Sequence, residues 1–304
     1  MPTELSIIVV NWNTRQLLSE CLQSLYNTIS GLSFDVYVID NASTDDSLVM
    51  LAADFPSVQV IRNIENVGFP RANNQAMRVC QGKYFLLINS DAVALPDSIQ
   101  VMYELAESQP LAGMVGAHLL NSDGSFQASH TNFPNLWQEF LILTGIGRML
   151  LGSWYPSQGP QEVKGPQVVD YVEGACMFVR AEAYRQVGGM DEGFFMYAEE
   201  VDWCYKLKKG GWQVWYHPEA RIIHHGSASS KSRLTQREGD LYRSRVRFFR
   251  KHYGFLPAAL LKILIYGLTV VKFLVHKIIF TMSRGRYGRS VISLNDLSRK
   301  LKGV

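Results

Sequence analysis

Short aliphatic runs alternate with helical periodicity through the N-terminal third of the chain. Ser6-Ile-Ile-Val-Val10 is a continuous run that gives way to the polar Asn11-Trp-Asn-Thr14. Leu17, Leu18, Cys21, Leu22 and Leu25 then recur at the spacing of one helix face. Phe34–Ile39 reads as a second strand, Val58–Ile61 as a third and Tyr84–Ile88 as a fourth. Between them lie a helix carrying Leu48, Leu51 and Phe55, with Ser43 or Thr44 as a candidate cap, and a helix from about Pro70 to Cys80. Strands apolar on both faces belong to a sheet covered by helices and joined by right-handed crossovers. The pattern therefore predicts an α/β fold with a parallel sheet and flanking helices.

From about residue 110 to 230 the regularity weakens. A loop-rich stretch from Pro156 to Pro166 precedes a strand-like Val168–Val179, a helix ending near Lys209 and a strand-like Ala220–Ile223. The expected division is a domain over 1–253, in two halves (1–95 and 96–253), then a helical segment over 254–304. Residues 231–251 carry eight Lys/Arg against two acids. Phe255–Phe280 is mostly apolar but is interrupted by Lys262, Lys272, His276 and Lys277. A spanning helix needs about 20 apolar residues, and the longest stretch free of charge is Ile263–Val271. One or two amphipathic helices lying in a membrane interface are expected, with a dimer or core helix as the alternative.

The chain has 304 residues, 47% of them hydrophobic and 19% charged, which is globular and excludes disorder or a long coiled coil. Its 30 basic and 27 acidic residues leave +3, so nothing general points to nucleic acid. The four cysteines form no paired motif, which fits reduced thiols and a cytoplasmic setting. Leu5–Val10, preceded by Glu4, reads as a buried strand and not as a signal peptide.

Ligands of such sheets sit beyond the carboxyl ends of the strands. Polar clusters occupy those ends at Asn11–Thr14, Asp40–Asp46, Asn63–Gly68 and Asn89–Asp91. Asp40 can accept hydrogen bonds from a ribose or a pyrimidine N–H, or simply form a turn. Asp91 ends an aliphatic run where a metal bridging a diphosphate would be held, or caps the helix starting near Pro96. Glu199, Glu200 and Asp202 crowd three carboxylates into four residues, which raises pKa values and makes a general base available. The alternative is favourable placement of acids in a helix's first turn. His224 and His225 end another strand and could complete a metal site or contact a phosphate.

Ser6–Asn11, Val38-Ile-Asp-Asn-Ala-Ser-Thr-Asp45, Asn66-Val-Gly-Phe69 with Asn73-Asn74, Leu87-Ile-Asn-Ser-Asp91 and Phe195–Asp202 occur in one order over residues 5–230. Together they resemble a family 2 glycosyltransferase of GT-A fold, near its bacterial rhamnosyltransferase-like branch, which implies a Rossmann-like, mixed but mostly parallel sheet with flanking helices, a nucleotide-binding half over 1–95 and an acceptor-binding half over 96–253. The resemblance implies an inverting transferase using a nucleotide-sugar donor, first of all dTDP-rhamnose. Its acceptor would be a glycan or lipid-linked hydroxyl in cell-surface polysaccharide synthesis. It places Asn11, Asp40, Asn41, Asn66, Arg71, Asn74 and Asn89 at the donor, and Asp91 with His224 at Mg2+ or Mn2+. Glu200 would be the catalytic base, flanked by Glu199 and Asp202. Two positions depart from the family pattern. Asn89 is an amide where an acid opens the metal motif, which removes one negative charge. Glu200 stands where an Asp is usual, so the acceptor hydroxyl must sit further out by about one methylene.

The implied location is peripheral, on the cytoplasmic face of the membrane, with a homodimer as a further possibility. Two other classes compete. A dinucleotide-dependent oxidoreductase needs a glycine-rich turn after the first strand, and Asn11–Arg15 has no glycine. A non-catalytic, membrane-associated nucleotide-sugar scaffold is the alternative that Asn89 allows, and Glu199, Glu200, Asp202 and His224 argue against it.

Overall fold

The computed structural model describes residues 3–151, 164–226, 234–282 and 294–302. Its chain divides into two units. The first comprises residues 1–133, 156–195 and 199–229, and the second 134–155, 196–198 and 230–304.

The first unit is built on β1 (Leu5–Asn11), α1 (Arg15–Thr28), β2 (Phe34–Asp40), α2 (Ser47–Asp54), β3 (Gln59–Arg62), α3 (Phe69–Met77) and β4 (Tyr84–Asn89). It continues through β5 (Ala92–Ala94), α4 (Ser98–Ser108), β6 (Ala112–Leu120) and β7 (His130–Thr131). The second unit contributes α5 (Leu136–Thr144) and α6 (Ile146–Leu151). The first resumes with β8 (Gln167–Val169), β9 (Tyr171–Val172), β10 (Cys176–Arg180), α7 (Ala181–Val187), α8 (Glu199–Lys209) and β11 (Gln213–His224). The second ends with α9 (Leu234–His252), α10 (Phe255–Met282) and α11 (Leu294–Lys300).

The central sheet has the order β3-β2-β1-β4-β10-β6-β11-β5, with β8 also paired to β11. Strands β3, β2, β1, β4, β6 and β11 run one way, and β10, β5 and β8 run the other. This is the mixed, mostly parallel sheet anticipated. The aliphatic runs are apolar on both faces because each face feeds a different core. Leu5, Ile7 and Val9 pack with Leu18, Leu22 and Leu25 of α1, whereas Ile8 packs with Ala72, Ala76 and Met77 of α3. Full burial of each such side chain contributes about 1.5–3 kcal/mol.

Three local expectations change. Val168–Val179 is not one strand: it breaks at Asp170 and again at Glu173–Ala175 into β8, β9 and β10. Neither Ser43 nor Thr44 caps α2, whose N-cap is Asp46. The Ser43 hydroxyl is taken by Asn11 and Asn13, and Asp45 accepts from the Ser47 amide at 3.1 Å. The apolar segment near the C-terminus is one helix, α10, and its Phe255–Val275 stretch is long and apolar enough to cross a membrane by length and composition. The boundary drawn at 253 falls inside the second unit, between α9 and α10, which pack together.

Candidate active site

Parallel pairing sets Asn11 opposite Asp40, so the ends of β1 and β2 present both side chains at one edge. Asn11 Nδ2 donates to Asp40 Oδ1 at 2.9 Å and to Ser43 Oγ at 3.0 Å, while the Ser43 amide donates to Asp40 Oδ2 at 3.0 Å. Both carboxylate oxygens are thereby oriented, and the side chain is almost fully buried. Thr14 extends this network, donating to Asn11 Oδ1 at 2.7 Å and meeting Ser90 Oγ at 2.8 Å. The network therefore ties β1 and β2 to the Asn89–Asp91 corner. Beside it, Asn63 Nδ2 donates to Asn41 Oδ1 at 2.8 Å, and Asn41 Nδ2 to Asn66 Oδ1 at 3.3 Å. Asn66 Oδ1 also accepts the Gly68 amide at 3.0 Å. Gly68 has φ +86°, and a Cβ there would lie 2.7 Å from the Phe195 carbonyl oxygen, so only glycine fits without a shift.

Asn74 of α3 meets the Met190–Glu192 segment. Its Nδ2 donates to Met190 O at 2.9 Å and to Glu192 Oε1 at 3.0 Å, and its Oδ1 accepts the Met190 amide at 3.0 Å. Both donor hydrogens are used, so the side chain pins the Met190–Glu192 segment to α3 and has none left to donate to a ligand. Arg71 pairs with Glu192 Oε2 at 3.3 Å and is half exposed, which leaves its guanidinium at the rim.

Asp91 and His224 come together because β5 pairs with β11, His224 opposite Ala92. His224 Nε2 lies 3.3 Å from Asp91 Oδ1 and 3.3 Å from Asn89 Nδ2. On the other side of the ring, Nδ1 meets Gln127 Oε1 at 2.6 Å. Gln127 Nε2 donates to Asn121 Oδ1 at 2.9 Å and to His224 O at 3.1 Å, which turns the amide oxygen toward the imidazole. The amide oxygen can only accept, so Nδ1 is the donor to Gln127, and Nε2 is the ring atom turned to the carboxylate. Adjacent octahedral ligands about 2.1 Å from Mg2+ stand about 3 Å apart, close to this spacing. No group of three or more His, Cys, Asp or Glu could hold a metal among the described residues. A two-ligand corner suits Mg2+ or Mn2+, which take their remaining positions from phosphate oxygens and water.

The acids of α8 occupy unlike settings. Asp202 is 0% exposed and Glu199 5%, whereas Glu200 is only partly buried. Burial pushes the Glu199 carboxyl well above its usual range, reinforced by the charges of Glu200 and Glu173. Its Oε2 has no hydrogen-bond partner among the described residues. Glu200 stands against Gly174, where an added Cβ would lie 3.6 Å from Glu200 Cβ. The next residue, Ala175, accepts the Asn89 amide at 3.0 Å. The base candidate and the metal corner thus flank the same β4–β10 edge. Of the three acids, Glu200 is the most accessible.

Sequence reasoning missed Gln127, Ser90, Glu173 and Glu192. Ser90 lies inside a quoted motif, but the other three carry no local signal. The sheet, with parallel strand ends meeting a carboxylate corner and a base candidate, is that of the GT-A sugar transferases.

Residues 6–188 match the model of glycosyl transferase family 2. The chain belongs to that family and is a glycosyltransferase. It is 29% identical over 249 residues to the N-acetylglucosaminyl-diphospho-decaprenol L-rhamnosyltransferase of Mycobacterium tuberculosis, covering 76% of this chain and 78% of the relative. It is 27% identical over 176 residues to the rhamnosyltransferase WbbL of Escherichia coli K12, covering 54% and 63% respectively. Among solved structures it resembles the mannosyltransferase PcManGT of Pyrobaculum calidifontis in complex with GDP-Man and Mn2+, with TM-score 0.56 and 16% identity over 100% of this chain and 81% of that one. The likeness to PcManGT is one of fold. Together the matches define a rhamnosyltransferase-like member of family 2.

Proposed function

We propose that the chain is an inverting transferase that moves a sugar, first of all rhamnose from dTDP-rhamnose, to a hydroxyl of a lipid-linked or glycan acceptor. The observation that carries this reading is the grouping of a partly buried Glu200 with the Asp91–His224 corner around Asn89 and Ala175. Likeness to the mycobacterial enzyme favours rhamnose as donor sugar and a sugar on a polyprenyl diphosphate as acceptor.

Asp40, fixed by Asn11 and Ser43, receives donor N–H or O–H groups of the base or ribose, and Asn41 and Asn66 line the same edge. Arg71 lines the pocket for the base and ribose with Asn11 and Asp40. Glu200 takes the acceptor hydroxyl proton as the oxygen bonds to the anomeric carbon and the bond from that carbon to the diphosphate breaks. One displacement with no covalent enzyme intermediate inverts the configuration. Asp91 and His224 would hold Mg2+ or Mn2+, which would supply positive charge against that developing on the departing diphosphate. Glu199, protonated in its buried setting, leaves the first turn of α8 with less negative charge beside Glu200. The enzyme would work on a membrane surface, with α10 in the interface.

A panel of nucleotide sugars, each with and without chelator, tests this reading by thermal stabilisation. dTDP-rhamnose with Mg2+ should give the largest rise in Tm, because a ligand binding the native state stabilises it. An equal rise in excess chelator would remove the metal from donor binding, and no rise with any nucleotide sugar would remove the donor assignment.

A further inference from the structure

The second unit places an apolar stripe beside a basic one. The inward face of α10 buries Ala258, Leu261, Ile265 and Thr269, and the helix packs against α9, α5 and α11. Its opposite face exposes Leu256, Leu260, Ile263, Val270, Val271 and Leu274, with no charge among them. Lys262 and Lys272, which interrupt this stretch in sequence, turn away from that face. Lys262 Nζ donates to Leu301 O at 2.6 Å, and Lys272 Nζ lies 3.5 Å from Tyr242 Oη and 3.8 Å from Glu238. On α9, Arg243, Arg250 and Lys251 are exposed.

Where the two helices meet lies a groove of about 350 Å3. Arg250 from the last turn of α9 and Lys262 from α10 line it, together with Phe255, Ile263 and Tyr266. Neither cation has an acidic partner among the described residues. Two cations at the mouth of an apolar groove, continuous with a bare apolar helix face, are complementary to one class of molecule. That class has an anionic phosphate joined to hydrocarbon chains.

We propose that this elbow is a phospholipid site. Arg250 and Lys262 hold the headgroup phosphate of an anionic membrane phospholipid, and its acyl chains lie along the outer face of α10. The proposal rests on the membrane reading above and adds to it a defined headgroup position.

The test uses the full chain and sedimentation with vesicles of phosphatidylcholine, with or without phosphatidylglycerol. The parent should prefer vesicles containing phosphatidylglycerol. Arg250→Gln with Lys262→Gln should lose about fivefold per charge on them, the factor that ~1 kcal/mol per cation near the surface represents, and should keep the weaker binding to phosphatidylcholine. A charge-matched control, Arg243→Gln with Lys251→Gln, lies outside the groove and should lose clearly less. Ile263→Asp should weaken binding to both vesicles. Unchanged Tm and unchanged stabilisation by donor establish that each variant is folded. Equal losses in the groove and control variants would overturn the phosphate site and leave the membrane reading standing. So would a parent indifferent to headgroup. A parent that sediments with neither vesicle would overturn both.

Discussion

Three carboxylates stand in the first turn of α8, yet each meets a different medium, and this decides what each can do. Glu199 is buried with a raised pKa. The folded state therefore holds its proton to higher pH than the unfolded chain, and its contribution to stability falls as pH rises above about 4.5. Glu199→Gln removes that dependence. The variant should gain in Tm relative to the parent as pH climbs from acid to neutral, which thermal melts at several pH values would measure; a parallel pair of curves would contradict the buried, protonated carboxyl. His130 has the opposite sign. Burial, with His118 nearby, lowers its pKa from the ordinary 6.5 to about 4. It is only 6% exposed and its ring lies 4.3 Å from that of Tyr216. The unfolded chain takes up this proton first, so stability should fall between pH 6.5 and 4, by up to about 3 kcal/mol. His130→Gln should shallow that acid limb in urea titrations.

At the scale of elements, the site depends on how loops are drawn onto strand ends. The Phe69 amide donates to Phe195 O at 2.9 Å, holding the start of α3 to the chain leading toward α8. Gly68→Ala adds a Cβ against that carbonyl at positive φ, a strain of about 1–3 kcal/mol. Equilibrium unfolding should register this loss, and donor affinity should drop with it, because Asn66 accepts the Gly68 amide. The strand ends themselves were readable in sequence. Asn11 and Asp40 follow aliphatic runs directly, Asp91 comes two residues after the Asn89 that ends β4, and a continuous apolar pattern locates its own terminus. Residues that orient others were not readable. Gln127 reaches His224 across 97 positions and Glu192 reaches Arg71 across 121, so only the fold brings them together. The Val168–Val179 run hid two breaks, because Asp170 and Gly174 interrupt a pattern that hydrophobicity alone reads as one strand. In α10 the lysines looked like interruptions along the chain. Plotted around the helix, Lys262 and Lys272 fall off the face that carries Leu256, Leu260, Ile263 and Leu274.

For the whole molecule, a near-neutral balance of +3 conceals a segregated charge. Eight basic residues fall within 231–251, in and just before α9, beside the apolar α10. The first unit carries the transferase family's sheet and its acid cluster; the second carries the surface proposed for the membrane. Glu200 is proposed to take the acceptor proton in a single displacement. The most direct measurement is dTDP release from dTDP-rhamnose in the presence of a lipid-linked acceptor, by the parent and by Glu200→Gln, with donor affinity measured on both. Turnover by Glu200→Gln should fall about 10²–10⁴-fold at nearly unchanged donor affinity. Near-parental turnover by Glu200→Gln would contradict the assignment of the base.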